Sequence, residues 1–405
     1  MSFITGAIRH SHRISEVAAA WDSVANDLYS LPNWLATAEA RAPGRCHYAV
    51  LSEADGTPQG GLVAYETGPD GWHFANPVAL LARSTEAVAE HLDSAELAEL
   101  TTCAKELTEA QDQLHPALAC YLPSGYRPGL LPGPDPAGTV TEALLDQLDA
   151  LAAEGGYPTA AVLHVPERAS ALRERLERRG YLPFVAVGDC VLHTPWADFG
   201  GYLGSLKSHR RTAVRREIRA FAESGAELRE TGLDSLGEAH ALLHAGHMRR
   251  YGHPAEPAAS RQLITSIQTH RTGTGRVFEA WRGTELIGFV VCYQLGDVFY
   301  PKMIGVAEGE KRSSAYFNLT YYEPVRVALA EGIRQIVYGP EAYGAKALRG
   351  CALERLVSHV RLPAGQRTAG ARAAALVDLG HRRRMDRHDW AQAGADADAH
   401  TDARS

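Results

Sequence analysis

Residues 205–219 read SLKSHRRTAVRREIR, six Lys or Arg and His209 within fifteen positions of a chain whose formal net charge is -7. At 3.6 residues per helical turn, Lys207, Arg211, Arg215 and Arg219 succeed one another at i+4 and make one cationic stripe, with Arg216 further round on the same side. Leu206, Val214 and Phe221 gather on another side, although Arg210 falls among them. Only Glu217 supplies a counter-charge inside the run, so the mutual repulsion must be relieved from outside it. A row of guanidinium groups suits phosphates, and the spacing points to a polyanionic ligand.

Further groups able to do chemistry lie downstream. Tyr300 and Lys302 alternate with Phe299 and Pro301, so on a strand they share a face, from which they can orient an acceptor amine and a carbonyl. Glu341 and Tyr343, in GPEAYG, follow a strand end, where active-site groups concentrate, and either can relay a proton. Lys346 and Arg349, three apart, read as a clamp for an anionic group. His240, His244 and His247 fall at i, i+4 and i+7, a spacing compatible with metal ligands, but no HExxH-type carboxylate accompanies them. No metal is therefore expected, and His247, with Arg249 and Tyr251, reads as an acceptor-facing group.

These residues must be positioned by ordinary globular elements. An apolar fraction of 45% and a charged fraction of 22% over 405 residues describe a folded chain of about two domains. No stretch is apolar enough to span a bilayer, and MSFITGAIRHSHRISE lacks the apolar core of a secretion signal, so a cytoplasmic location is expected. The acidic balance argues against a protein that coats nucleic acid, and DNA is not an expected partner. Cys46, Cys103, Cys120, Cys190, Cys292 and Cys351 lie apart without a CxxC pair and read as buried thiols.

An amphipathic helix is expected over Ser15–Leu35, ending near Pro32, followed by an antiparallel meander around Asp-Gly turns. Then comes a cycle: helix TEALLDQLDALAAEG, strand TAAVLHV, helix SALRERLERRG, strand LPFVAVGDCVLH. A second cycle follows 150 to 200 residues later, from RVFEAWRG through SAYFNLTYYEPVRVALAEG to RLVSHVRL. The repetition implies duplication of one α/β unit of the α+β type, each copy a mixed central sheet flanked by helices. The expected domains are residues 1–195, 196–364, and a segment 365–405 made of one helix and a disordered tail.

WADFGGYLGSLKSHRRTAVRREIRAF, FYPKMIGV and SSAYFNLTYYEPVRVALAEGIRQIVYGPEAYGAKALRG resemble the Fem-like, peptidoglycan-biosynthesis branch of the GNAT acyltransferase superfamily. Tyr300, Lys302 and Gly305, the aromatic-rich helix start with Phe317, Leu319, Tyr321 and Tyr322, and Gly339, Lys346, Arg349 and Gly350 carry the likeness. Asn318 stands where the pattern has an acidic residue, Ala345 where it has a His, and Cys351 where it has an aromatic. The resemblance implies two tandem GNAT-like domains, the first degenerate and the second catalytic, with Tyr316 and Asn318 near the substrate. It also implies an oxyanion held by backbone donors of two splayed strands, expected at 285–294 and 297–305.

Superfamily members that use acetyl-CoA cradle its pyrophosphate in a Gly-rich loop opening a helix. Here that connection is AEGEKRSSA, without such a pattern, while RTGTGR at 271–276 precedes a strand and reads as a turn. No P-loop, dinucleotide fingerprint or paired Ser or Cys nucleophile is present, which favours direct transfer. The expected function is amide formation with no bound cofactor. An aminoacyl group moves from aminoacyl-tRNA to a small-molecule or peptide amine, in cell-wall or specialised-metabolite synthesis. The stripe, with Lys311 and Arg312, would meet the tRNA acceptor end. An acyl-CoA-dependent N-acyltransferase and a catalytically silent ligand-binding protein are the alternatives.

Overall fold

The computed structural model describes residues 7–253 and 255–391. Its strands are β1 (Ala7–Ser11), β2 (Cys46–Ser52), β3 (Pro58–Thr67), β4 (Ala117–Cys120), β5 (Leu130–Pro132), β6 (Thr159–Pro166), β7 (Leu182–His193), β8 (Glu227–Gly232), β9 (Thr274–Arg282), β10 (Glu285–Leu295), β11 (Val298–Val306), β12 (Gln335–Gly339) and β13 (Ala352–Arg361). Residues 7–189 and 354–388 make one compact unit, and residues 190–353 with 389–391 make another.

In the first unit the strand order is β1-β2-β3-β4-β6-β13-β7, with β5 beside β3, and β4 runs parallel to β6. Alternation along these strands divides the core between two faces. Leu118, Cys120, Ala160 and Val162 meet Leu144, Leu145, Leu148 and Leu151 of helix Thr139–Glu154. On the other face Ala119, Ala161 and Leu163 meet Leu100, Cys103 and Leu107 of helix Ser94–Glu109, and Ala373, Ala374 and Val377 of helix Arg367–Asp386.

The second unit has the order β7-β12-β11-β10-β9-β8, entered by residues 190–193 of β7. Helix Glu238–Arg250 lies against β11, and Gly305 permits the approach: a Cβ there would come within 2.8 Å of the backbone at Leu243 and His244. Each unit thus repeats four antiparallel strands, β1–β4 and β8–β11, then a helix and a strand parallel to the fourth, β6 and β12, as the duplication implies.

Several boundaries differ from expectation. The boundary falls inside β7, at 189/190, and not near Pro195, because β7 runs on through it. The final strands are exchanged: β13, expected to complete the second unit, pairs antiparallel with β6, and the end of β7 pairs with β12. The helix after Pro363 belongs to the core of the first unit, where it buries seven residues. The expected tail from 392 onward lies outside the described residues.

Ser15–Leu35 is not one helix. Asp27 accepts from the Tyr29 amide at 2.8 Å and caps a new turn, and Pro32 opens helix Pro32–Glu39 instead of closing one. All six cysteines are buried thiols, and no helix among the described residues is long and apolar enough to cross a membrane.

Candidate active site and the cationic helix

Strand β11 pairs with β12 at only two positions, Val298↔Gln335 and Phe299↔Ile336. Beyond them the two parallel strands diverge, and the wedge between them begins beside Tyr300 and Lys302. This replaces the expected splay at 285–294 and 297–305. Those residues, β10 and β11, form a hairpin paired from Leu295↔Val298 to Gly288↔Val306. The two-residue turn Gly296-Asp297 joins strands that stay paired, whereas β11 and β12 are separated by a helix and share one short contact. Opposite Val290–Cys292, β11 carries an extra residue between Pro301 and Ile304, which interrupts the alternation expected for Tyr300 and Lys302. Tyr300 is buried and Lys302 half-buried.

Past Gly339, β12 enters a loop whose backbone is left-handed at Gly339 (φ 72°), Glu341 (63°) and Ala342 (50°). Two successive non-glycine residues in this region are strained, and such strain collects at functional positions. Lys346 holds the loop: its Nζ donates to the carbonyls of Tyr338 (3.1 Å), Gly339 (2.8 Å) and Pro340 (2.5 Å) and is buried. Tyr343 is buried with its ring 6.0 Å from that of Trp390, while Glu341 is half-buried.

The anionic clamp expected of Lys346 and Arg349 is therefore not formed. Lys346 closes a strand end, and Arg349, 1% exposed, lies in an internal network. Arg349 donates to Glu217 at 3.1 Å and to the Ala345 carbonyl at 2.9 Å, with its guanidinium 3.9 Å from the Phe317 ring centroid and 4.7 Å from that of Tyr321. The i, i+3 spacing puts both side chains on one side of a short helix, but here that side faces inward.

Helix Ser208–Glu223 forms over the basic run and separates its charges as the spacing predicts. Lys207, Arg215, Arg216 and Arg219 are exposed and Arg211 half-buried, whereas Val214 and Phe221 are buried. Lys207 pairs with Asp389 at 2.5 Å, both side chains well exposed, and Arg211 donates to the Gly204 carbonyl at 3.3 Å. Arg210, the misfit on the apolar side, turns inward with Glu217 at 3.3 Å. Tyr322 donates to the same carboxylate. Glu217 thus ties this helix to the one that follows β11.

That helix has a wide turn over Asn318–Tyr322 before continuing as Glu323–Glu331. Pro324 has no N–H to offer the Thr320 carbonyl and crowds it, so the turn loosens there. The widening brings Phe317, Tyr321 and Tyr322 around Arg349. Asn318 is buried and donates to the carbonyls of Glu217 (3.2 Å) and Ser314 (3.0 Å), a positioning contact and not a group presented to substrate.

Tyr316 is half-buried and stacks on His247 with centroids 5.9 Å apart. His247 in turn meets the exposed Tyr251 at 4.9 Å. Burial, with Arg250 and His244 nearby, pushes His247 down to about 4, so its imidazole is neutral near pH 7. His240 bonds Glu279 at 3.0 Å and His244 bonds Ser260 at 2.8 Å, so the three histidines turn to separate partners.

Sequence reasoning passed over Glu310, in the connection AEGEKRSSA. Its carboxylate receives both Arg282 η-nitrogens at 2.9 Å and the Ser313 hydroxyl at 2.7 Å, and Ser313 accepts from the Ala315 amide at the start of the helix. The Arg282 hydrogen bonds hold it below the usual carboxylate range, despite burial. Its signal was present: Arg282 and Glu310 each flank the β-rich stretch, but nothing local says that they meet.

Residues 208–347 match the acetyltransferase (GNAT) domain family, wholly inside the second unit. In fold the chain is similar to a conserved protein of unknown function from Bacteroides thetaiotaomicron, at 12% identity and a TM-score of 0.56 over 88% of this chain and 100% of that one. It is similar to FemX at 12% identity and a TM-score of 0.55, over 87% and 96% of the respective chains. L-PGS from Bacillus licheniformis is 9% identical with a TM-score of 0.50, over 91% and 97%. No curated protein matches the chain in sequence. The second unit is a GNAT domain. Over most of its length the chain has a fold similar to that of FemX.

Proposed function

We propose that the protein is an amide-forming N-acyltransferase of the cytoplasm, acting at the wedge between β11 and β12. The early divergence of those strands carries this reading: it leaves a cleft edge of backbone beside Tyr300 and Lys302, where amide donors can meet a developing oxyanion. Lys302 orients the reacting carbonyl, and Glu341 or Tyr343 relays the proton leaving the amine. Tyr316 and His247 flank the acceptor. The acceptor is a small-molecule or peptide amine, as in cell-wall or specialised-metabolite synthesis.

The donor in this reading is aminoacyl-tRNA. Arg215, Arg216 and Arg219 project from the basic helix with no acidic partner among the described residues, and with Lys207 and Arg211 they suit successive phosphates. Acyl-CoA is the second reading, favoured by the acetyltransferase description of the matching family. The connection AEGEKRSSA weighs against it, because it lacks the Gly-rich pattern that cradles a pyrophosphate at a helix start.

Filter binding of charged tRNA and of acyl-CoA, over a salt series, separates the two. Removing Arg215 and Arg219 together should weaken tRNA binding and flatten its log–log salt slope by roughly 1.4–1.8, about 0.7–0.9 per lost contact. Binding of CoA with none of tRNA would overturn the tRNA reading. Lys302→Ala should lower turnover with the fold intact, and an unchanged rate would remove Lys302 from the site.

A further inference from the structure

A group of ligand-type side chains lies in the first unit, apart from everything described for transfer. His10 and His12 are two residues apart on extended chain, in the sequence RHSHR. The register of β1 on β2 runs from Ala7↔Ser52 to His10↔Ala49 and Ser11↔Tyr48, and its continuation sets His12 opposite His47. All three imidazoles then lie on one side of the pair, while Ser11 turns to the other and is buried. Their ligand atoms all lie within 4.8 Å of one another.

The hydrogen bonds fix which nitrogens face inward. His12 Nδ1 lies 2.8 Å from the Cys46 carbonyl, which only accepts, so Nδ1 carries the proton and Nε2 the lone pair. Tyr157 donates its hydroxyl proton to Glu66 at 2.9 Å and so accepts from His47 Nε2 at 3.1 Å. The lone pair of His47 is therefore on Nδ1, which faces His10 Nε2 at 3.2 Å. For two nitrogens about 2.0–2.1 Å from a tetrahedral metal, the expected separation is roughly 3.3–3.4 Å. His10 is exposed and can turn its own proton to water, which makes its Nε2 the third donor.

We propose that His10, His12 and His47 bind a divalent transition metal, Zn²⁺ foremost, with a fourth position open to solvent. Three neutral imidazoles suit Zn²⁺, and the two outer hydrogen bonds, to the Cys46 carbonyl and through Tyr157 to Glu66, are the supports that orient ligating histidines. The absence of a metal expected from the His240–His247 spacing is thus set aside for another place in the chain. A filled site would also fasten β1, the edge strand, to β2.

The test is titration of the untagged, chelator-treated full chain with Co²⁺, read by its tetrahedral absorption, and with Zn²⁺ in competition. One metal per chain is expected. His10→Gln and His12→Gln, both of exposed side chains, should each weaken binding by at least about 100-fold. Tyr157→Phe should keep the spectrum but weaken binding by about 10–100-fold. His253→Gln, an exposed histidine elsewhere, should change nothing. No stoichiometric binding, or binding that survives loss of His10 and His12, would overturn the proposal.

Discussion

Arg349 shows how a residue type can be read correctly and its role wrongly. A guanidinium spaced three residues from an ammonium is a sound anion clamp in isolation, but Arg349 already has its anion in Glu217 and its faces covered by Phe317 and Tyr321. Removing Arg349 leaves Glu217 with Arg210 and Tyr322 but takes away a charged hydrogen bond and the guanidinium between the rings, so Arg349→Ala should destabilise the second unit by about 1.5–3 kcal/mol. Urea unfolding checks this, and a stable but inactive variant would restore the role in substrate binding. Asn318 follows the same logic. An acidic residue there would face the Glu217 and Ser314 carbonyls without a proton to give, whereas the amide donates to both.

Among the elements, the decisive one is the loop after β12. Its positive φ angles at Glu341 and Ala342 persist because Lys346 binds three consecutive carbonyls, over-determining the backbone. Lys346→Met, of similar length but without the donor, should cost about 1.5–3 kcal/mol and let residues 338–343 relax. Hydrogen exchange across that loop should rise more than elsewhere in the unit, and turnover should fall with it. Uniform exchange in the variant would mean that the loop holds its shape by other means. The basic helix is the contrasting element: periodicity alone predicted its exposed stripe, and tertiary packing only explained the misfit, Arg210.

For the whole molecule, buried histidines set the response to acid. Burial pushes His164, His247 and His359 down to about 4 and His381 to about 3, against 6.5 in an unfolded chain. Between those values the unfolded state binds more protons, so the stability from their neutral burial is complete above pH 6.5. It is lost as pH falls toward 4, by up to about 1.4 kcal/mol per pH unit for each group. His164, His359 and His381 are in the first unit and His247 in the second, so both should weaken. Urea midpoints should hold steady above pH 7 and fall steeply between pH 6.5 and 4. A level profile down to pH 5 would show these rings to be hydrated.

The amino-acid sequence by itself determined what depends on neighbours in the chain. Periodicity placed the basic helix and helix Thr139–Glu154, the Asp55-Gly56 turn placed the β2–β3 hairpin, and the recurring order of elements announced two related units. It also marked Glu341 and Tyr343 as lying just after a strand end. Tertiary structure alone decided which strands diverge, since β11 and β12 meet across an intervening helix and no local pattern records two shared pairs. It likewise decided that β7 and β13 exchange partners, that Lys346 and Arg349 turn inward, and that His47 comes within reach of His10 and His12. Each of these is a contact between residues far apart in the chain, fixed by burial and hydrogen bonding once the sheet has formed.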